Sequence, residues 1–160
     1  MGKFLIDINL KGKTAIITGA TKGIGRATTI ALHQVGANVI ALGRNQKDLL
    51  SLKKKLKKRI KIFQCDMNNY ENLKKIVMNQ KKIDVLVNNA GTNLPEPFLK
   101  VKQSSLNTLL EINTKSAFNM AKLCVDKMLE HKNRKKTGGS IVHVSSIFGL
   151  VGGPNRSVYS

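Results

Sequence analysis

The sequence predicts a layered α/β fold, a parallel sheet doubly wound by helices, on three observations. Short runs rich in Val, Ile and Ala recur between longer amphipathic stretches, from "KTAIITGA" (13–20) to "GGSIVHVSS" (138–146). These runs are apolar on both sides, as strands are when helices cover both faces of a sheet. Aromatic residues make up only 4% of the 160-residue chain, without Trp, while apolar residues make up 41%. The core is therefore built from Ile, Leu, Val and Ala, as in layered α/β proteins.

Each element follows from local pattern. The run 13–20 is β-branched and breaks at Gly, which reads as a buried strand. "GIGRATTIALHQVGA" (23–37) carries apolar residues at helical spacing and closes on Gly36, a normal helix end. "NVIALGRN" (38–45) is the second strand, followed by an amphipathic helix at about 46–58 and a strand "IKIFQCD" (60–66). A helix at about 70–80 leads to the strand "IDVLVNNAG" (83–91), and a long amphipathic stretch runs from about 103 to 131. "GGSIVHVSS" is the fifth visible strand. Every βαβ crossover is expected to be right-handed. No linker, repeat or low-complexity segment interrupts the chain, so residues 1–160 read as one domain.

Charge and targeting narrow the class. The net charge of +19 invites a polyanion as partner. The basic residues, however, concentrate in "LKKKLKKRIK" (52–61), "LKKIVMNQKK" (73–82) and "EHKNRKKTGG" (130–139). In the first two, Leu, Ile and Val recur every three to four positions, so the lysines form the solvated faces of amphipathic helices. Few aromatics are interleaved for base stacking, and nucleic-acid binding is not expected. Cys65 and Cys124 lie in apolar stretches and read as reduced thiols packed as small hydrophobes. No apolar run approaches the roughly 20 residues of a membrane span. The start "MGKFLIDINL" has no secretory h-region, and Ile6 stands where myristoylation wants Ser or Thr. A cytoplasmic protein is expected, with no metal site.

The segment "TGATKGIG" (18–25) joins the first strand to the first helix, with Gly19, Gly23 and Gly25 in a strand-turn-helix context. Gly19 permits the tight exit from the strand. Gly23 and Gly25 let the backbone approach a pyrophosphate and let the helix pack closely on the sheet. Free N–H groups at the helix start then meet the phosphates. The glycine spacing G-x-x-x-G-x-G differs from the usual Rossmann G-x-G-x-x-G. Together with "NNAG" (88–91) and a Tyr after the fifth strand, it resembles the short-chain dehydrogenase/reductase family across essentially the whole chain. The resemblance implies a Rossmann sheet whose cofactor contacts are Gly19, Thr21, Lys22, Gly23, Ile24 and Gly25. Asp66 and Met67 after the third strand and Asn88, Asn89, Ala90 and Gly91 after the fourth complete that set. Where NAD-binding proteins end the second strand on a carboxylate, this chain has Gly43 and Arg44, and Lys22 stands before the second glycine. Two cations beside the adenosine ribose suit a 2′-phosphate, so the expected cofactor is NADP(H).

Carbonyl reduction by hydride needs a proton donor on the oxygen. The resemblance implies that Tyr159 is this donor, that Ser146 orients the carbonyl, and that Asn113 in "EINTKS" completes a proton relay. The family's Lys, four residues after the Tyr, would fall at position 163. Members of the family also continue well beyond this point, so the chain is expected to be cut inside its active-site motif and to be inactive as it stands. Closer resemblance is to the small tetrameric carbonyl reductases of the dicarbonyl/L-xylulose group. It is carried by "KGIGRATTIALHQVGANVIALGRNQKDLLSL" (22–52), the short link to "CD" (65–66), "IDVLVNNA" (83–90), "PFLKV" (97–101) and "SVY" (157–159). It implies a small carbonyl substrate, L-xylulose or an α-dicarbonyl, and a homotetramer. Ile147 and Arg156 occupy positions that contact substrate in the sugar reductases. An apolar Ile147 weakens the sugar reading and leaves room for α-dicarbonyls or other carbonyls. The loop 130–139 is longer than in that group and reads as a surface insertion. A 3-oxoacyl-thioester reductase of fatty-acid synthesis is the alternative enzyme, and a non-catalytic NADP-binding protein the alternative of another class.

Overall fold

The computed structural model describes residues 8–132 and 134–160. Five strands form one parallel sheet in the order β3-β2-β1-β4-β5: β1 (Thr14–Ile17), β2 (Asn38–Gly43), β3 (Ile60–Gln64), β4 (Val85–Asn88) and β5 (Ser140–His143). Helices α1 (Gly23–Gln34), α2 (Gln46–Leu56) and α3 (Tyr70–Met78) follow β1, β2 and β3, and a pair, α4 (Gln103–Leu109) and α5 (Ser116–Leu129), lies between β4 and β5. β1 is central, pairing Ile16 with Ile40 on one side and with Leu86 on the other. The order changes direction there, from β1 outward to β2 and β3 and then back to β4. Clefts at such a switch point, outside the carboxyl ends of the strands, are where doubly wound sheets bind ligands.

Alternation along the strands divides the core into two layers. Ile16, Ile40, Leu42 and Leu86 face α3 and α5, where they meet Leu73, Val77, Met120, Leu123 and Cys124. Ala15, Ile17, Val39, Ala41 and Val87 face the other way, against Leu49 and Leu52 of α2. The small alanines on this second face let α1 and α2 lie close to the sheet. Side chains set the helix starts: Asn45 accepts the Asp48 N–H at 3.1 Å and Asn69 the Asn72 N–H at 3.0 Å, which satisfies donors that a helix leaves open.

Three features depart from the sequence reading. The long stretch 103–131 is two helices joined by a π-helical turn, Leu110–Lys115, and this wider turn carries Asn113. The outer strands are not covered on both sides: all four residues of β5 are exposed, and no residue of β3 is fully buried. Each of these strands has a sheet neighbour on one edge only, so the local apolar pattern overstates its burial. The loop 130–139 is more than a surface insertion. It contains a short helix α6 (Arg134–Thr137), and Arg134 is only 6% exposed. Its guanidinium donates to both the Asp84 carboxylate (3.2 Å) and the Ile83 carbonyl (2.8 Å) at the start of β4, and to the Met128 carbonyl (3.1 Å).

Candidate active site

The carboxyl ends of β1 to β4 open into a cleft of about 1040 Å³. The turn from β1 to α1 forms its floor. Gly19 and Gly23 take φ of +63° and +53°, a region that favours glycine because a Cβ crowds the backbone there. No atom lies within 4 Å of where a Cβ on Gly23 would point, so the turn leaves an open cradle. Gly25 lies beneath it, and a Cβ there would be 2.3 Å from the Gly19 carbonyl oxygen and 2.4 Å from the Asn89 side-chain nitrogen. The N–H groups of Gly23, Ile24 and Gly25 find no backbone acceptor among the described residues, as at any helix start that awaits an anion. Substituting Gly25 by Ala is expected to force these backbones apart, lowering stability by about 1–3 kcal/mol and weakening dinucleotide binding. Thermal unfolding and a fluorescence titration with NADPH measure the two effects.

Thr18, which the sequence reading passed over, holds the opposite wall. Its buried hydroxyl accepts the N–H groups of Asn89 (3.0 Å) and Ala90 (2.9 Å). The Asn89 amide reaches back to the carbonyls of Thr18 and Gly19, both at 3.1 Å. One Thr at the end of β1 thus sets the course of the chain leaving β4. Asn88 lies deeper, 5% exposed, and donates to the Ala117 carbonyl at 2.9 Å. Most of the predicted cofactor residues line the cleft: Gly19, Thr21, Lys22, Gly23, Ile24, Arg44, Asp66, Met67, Asn89, Ala90 and Gly91. Gly25 and Asn88 lie behind its wall.

Three cations line the cleft together with two carboxylates. Lys22, Arg44 and Lys47 line it, and none of the three side chains has a hydrogen-bond or ion-pair partner among the described residues. Asp48, next to Lys47 in α2, and Asp66 are the carboxylates of the lining. Lys47 is a further cation that the sequence reading did not single out. The open glycine cradle, the free N–H groups and this cation set fit a nicotinamide dinucleotide. Cys65 also lines the cleft, but burial pushes its thiol up to about 11, against the Gly43 backbone hydrogen bond and with the help of Asp66. It stays protonated and is no nucleophile at neutral pH.

Asn113, Ser146 and Tyr159 arrive from three different elements. The Asn113 side chain clasps Thr92 with two hydrogen bonds: its Oδ1 accepts the Thr92 N–H at 2.8 Å and its Nδ2 donates to the Thr92 carbonyl at 2.9 Å. This fastens the π-helical turn to the segment after "NNAG". Ser146 caps a 3₁₀ turn, Ile147–Gly149, its Oγ accepting the Phe148 N–H at 3.2 Å. The Phe148 ring packs edge-on against Tyr159, with centroids 6.4 Å apart and planes at 68°. Arg156 lies over the same ring, 4.7 Å from its centroid. Phe148 is therefore the link between Ser146, Tyr159 and Arg156. As a lone Phe in a loop it carried no signal in the sequence.

The sequence profile of the short chain dehydrogenase family matches residues 13–160. The chain belongs to that family. It is 34% identical over 152 residues to a 3-oxoacyl-[acyl-carrier-protein] reductase from Rickettsia prowazekii, covering 95% of this chain and 61% of that protein. It is also 34% identical to carbonyl reductase [NADPH] 2 from Sus scrofa, over 97% of this chain and 62% of that one. L-xylulose reductase from Mus musculus is 32% identical, over 96% and 61% respectively. The chain thus spans about three fifths of the length of the curated relatives it matches. Among solved structures, the closed form of serine dehydrogenase complexed with NADP+ superposes with a TM-score of 0.83 at 31% identity, covering 91% of this chain and 59% of that one. These likenesses bear out the doubly wound sheet. They place an acyl-carrier-protein reductase, a carbonyl reductase and an L-xylulose reductase at similar distance from it. No helix among the described residues is long and apolar enough to cross a membrane.

Proposed function

We propose that the full-length protein is an NADPH-dependent reductase that converts a small carbonyl compound to an alcohol. The observation that carries this reading is the joint presence of the open glycine cradle, flanked by cations without partners among the described residues, and of Ser146 and Tyr159 held about Phe148. Bound NADPH supplies the hydride for the carbonyl carbon. The chain's own residues do the rest. The N–H groups at Gly23 to Gly25 would bind the pyrophosphate, and Asp66 and Met67 would hold the adenine. Asn88, Asn89, Ala90 and Gly91 line the cofactor's path toward the reacting carbonyl. Ser146 hydrogen-bonds the substrate oxygen, and Tyr159 gives it a proton. Asn113, fixed on Thr92, anchors the relay that returns the proton. A Lys four residues after Tyr159 completes the set in the family.

Lys22 and Arg44 select the 2′-phosphate in this reading. Each charge-assisted hydrogen bond of this kind is worth about 1.5–3 kcal/mol. Replacing Arg44 with Asp is expected to weaken NADPH binding about 10- to 100-fold and to improve NADH binding, because the new carboxylate can accept from a ribose 2′-hydroxyl. Titration of the two cofactors against wild type and variant measures this. Unchanged preference would remove Arg44 from the phosphate site.

The likeness to L-xylulose and NADPH carbonyl reductases supports a small, free substrate such as an α-dicarbonyl. A second reading, 3-oxoacyl-thioester reduction, is favoured by the similarity to the Rickettsia enzyme and by the exposed lysines of α2 and the turn after it, Lys53, Lys54, Lys57 and Lys58, which suit an acidic carrier. Assays with L-xylulose, diacetyl and an acetoacetyl thioester separate the two. The protein is further proposed to be cytoplasmic, with residues 1–160 acting as one cofactor-binding unit of a homotetramer. The exposed Leu110, Phe118, Val125 and Leu129 of the α4–α5 region are apolar surface that an oligomer would cover.

A further inference from the structure

A second pocket, of about 590 Å³, lies at the opposite end of the sheet from the cofactor cleft, where β1 and β2 begin and α1 ends. Its volume is that of a small-molecule site. The polar part of its lining is Asn9, Lys11, Gly12, Gln34, Asn38 and Arg59, and among the described residues no carboxylate lines it. Asp84, the carboxylate just before β4, is taken up by the Thr14 N–H, Lys82 and Arg134.

Both cations of this pocket are placed by the fold and left without an anion. Arg59 takes φ of +56°, a conformation unfavourable for a residue with a Cβ. The backbone there is steadied by the His33 Nε2–H, which donates to the Lys58 carbonyl at 2.8 Å. Arg59 Nη1 donates to the carbonyls of His33 (3.1 Å) and Ala37 (2.8 Å), while Nε and Nη2 make no hydrogen bond among the described residues. Lys11 stands in a β-turn closed by the Lys13 N–H on the Leu10 carbonyl (3.0 Å), with Gly12 at φ of +74°. The Gly12 N–H has no acceptor among the described residues, and no atom lies within 4 Å of where a Cβ on Gly12 would point. Neither Lys11 nor Arg59 has an ion-pair partner among the described residues. Free carbonyls at a helix end repel an anion. Here those of Leu32, His33 and Val35 already accept the N–H groups of Ala37, Gly36 and Leu10.

We infer that this pocket is a second anion site, separate from the cofactor cleft, that takes a small phosphate-bearing ligand. The free nitrogens of a guanidinium match two phosphate oxygens at once, and a lysine adds a point charge. The Gly12 N–H offers an uncharged donor beside them. Two cations with no carboxylate between them call for more than one negative charge, which a phosphate group carries at neutral pH and a single carboxylate does not. Asn9, Gln34 and Asn38 are left to hydrogen-bond the rest of the ligand. The inference does not depend on the reductase reading, because none of these residues lines the cofactor cleft.

The test is calorimetric titration of the full-length protein with inorganic pyrophosphate, with and without saturating NADP+. A site that survives NADP+ is expected. Lys11→Gln and Arg59→Gln should each weaken it about 10- to 100-fold, the worth of a charge-assisted hydrogen bond or two. Lys53→Gln, on the exposed face of α2, should leave it unchanged. The Lys11 side chain makes no hydrogen bond or ion pair among the described residues, so Lys11→Gln decides the matter even where Arg59→Gln fails to fold. Binding that vanishes with NADP+ present belongs to the cofactor cleft and overturns the inference. Equal weakening by Lys53→Gln reports a diffuse basic surface and overturns it too, as does the absence of binding. If NADP+ itself does not bind, the dinucleotide reading fails, and the Lys11→Gln titration without NADP+ still upholds or rejects the pocket.

Discussion

Replacing Tyr159 with Phe in the full-length protein is expected to lower kcat for carbonyl reduction about 10²- to 10⁴-fold, the range over which a positioned general acid acts. NADPH binding should be unchanged, because Tyr159 is not among the residues lining the cofactor cleft. The substitution keeps the ring, and with it the edge-on contact with Phe148 at 6.4 Å, so a loss of turnover reports the hydroxyl and not the packing. Stopped-flow measurement of NADPH oxidation, with cofactor affinity from fluorescence, gives both quantities. A variant with more than a tenth of wild-type turnover would remove Tyr159 from the role of proton donor. Phe148→Ala should give a smaller loss, since it frees the ring that Tyr159 and Arg156 share but leaves the acid itself.

The second large effect is on stability. Arg134→Leu is expected to destabilise the protein by about 3–5 kcal/mol, the usual result of leaving one member of a buried ion pair alone. This corresponds to a fall in Tm of roughly 10 °C for a protein of this size. Asp84, 5% exposed, would retain the Thr14 N–H at 2.9 Å and Lys82 at 3.3 Å but lose the guanidinium. The carbonyls of Ile83 and Met128 would lose their donor as well. The double variant Asp84→Asn, Arg134→Leu should recover part of the loss, because it removes the stranded charge. Burial alone would raise the Asp84 carboxyl, but the Thr14 N–H, Lys82 and Arg134 outweigh it and hold it below its ordinary value. A carboxyl that titrates lower when folded adds stability in full above the ordinary carboxylate range, and that contribution fades as pH falls through the folded value. Acid unfolding of the wild type should therefore show a step below pH 4 that Asp84→Asn lacks. Denaturant titrations across that range measure it, and identical acid profiles would contradict the assignment.

Much of the fold was legible because its signals are local. A β-branched run that stops at Gly19 and apolar residues at helical spacing after Gly23 each need only a few neighbouring residues to act. They name the strand-turn-helix unit and hence the cleft above it. Lys22 and Arg44, singled out from the sequence, line that cleft, whereas Thr18 and Lys47 were passed over. The errors lie where burial depends on distant chain. β5 has the apolar pattern of an inner strand, yet it holds an edge position with all four residues exposed. A sheet's order is a property of the whole assembly and not of one strand's composition.

Sequence by itself determined that this chain makes a parallel α/β sheet with a glycine turn shaped for a dinucleotide, because period, glycine and charge act over a few residues. Tertiary structure decided the rest. It joined Thr18 to Asn89 across 71 positions and Arg134 to Asp84 across 50. It widened one helical turn to bring Asn113 to Thr92, and it made a single loop phenylalanine the support of both Tyr159 and Arg156. These are pairings between side chains that become neighbours only after the sheet has formed, so no local pattern in the chain records them.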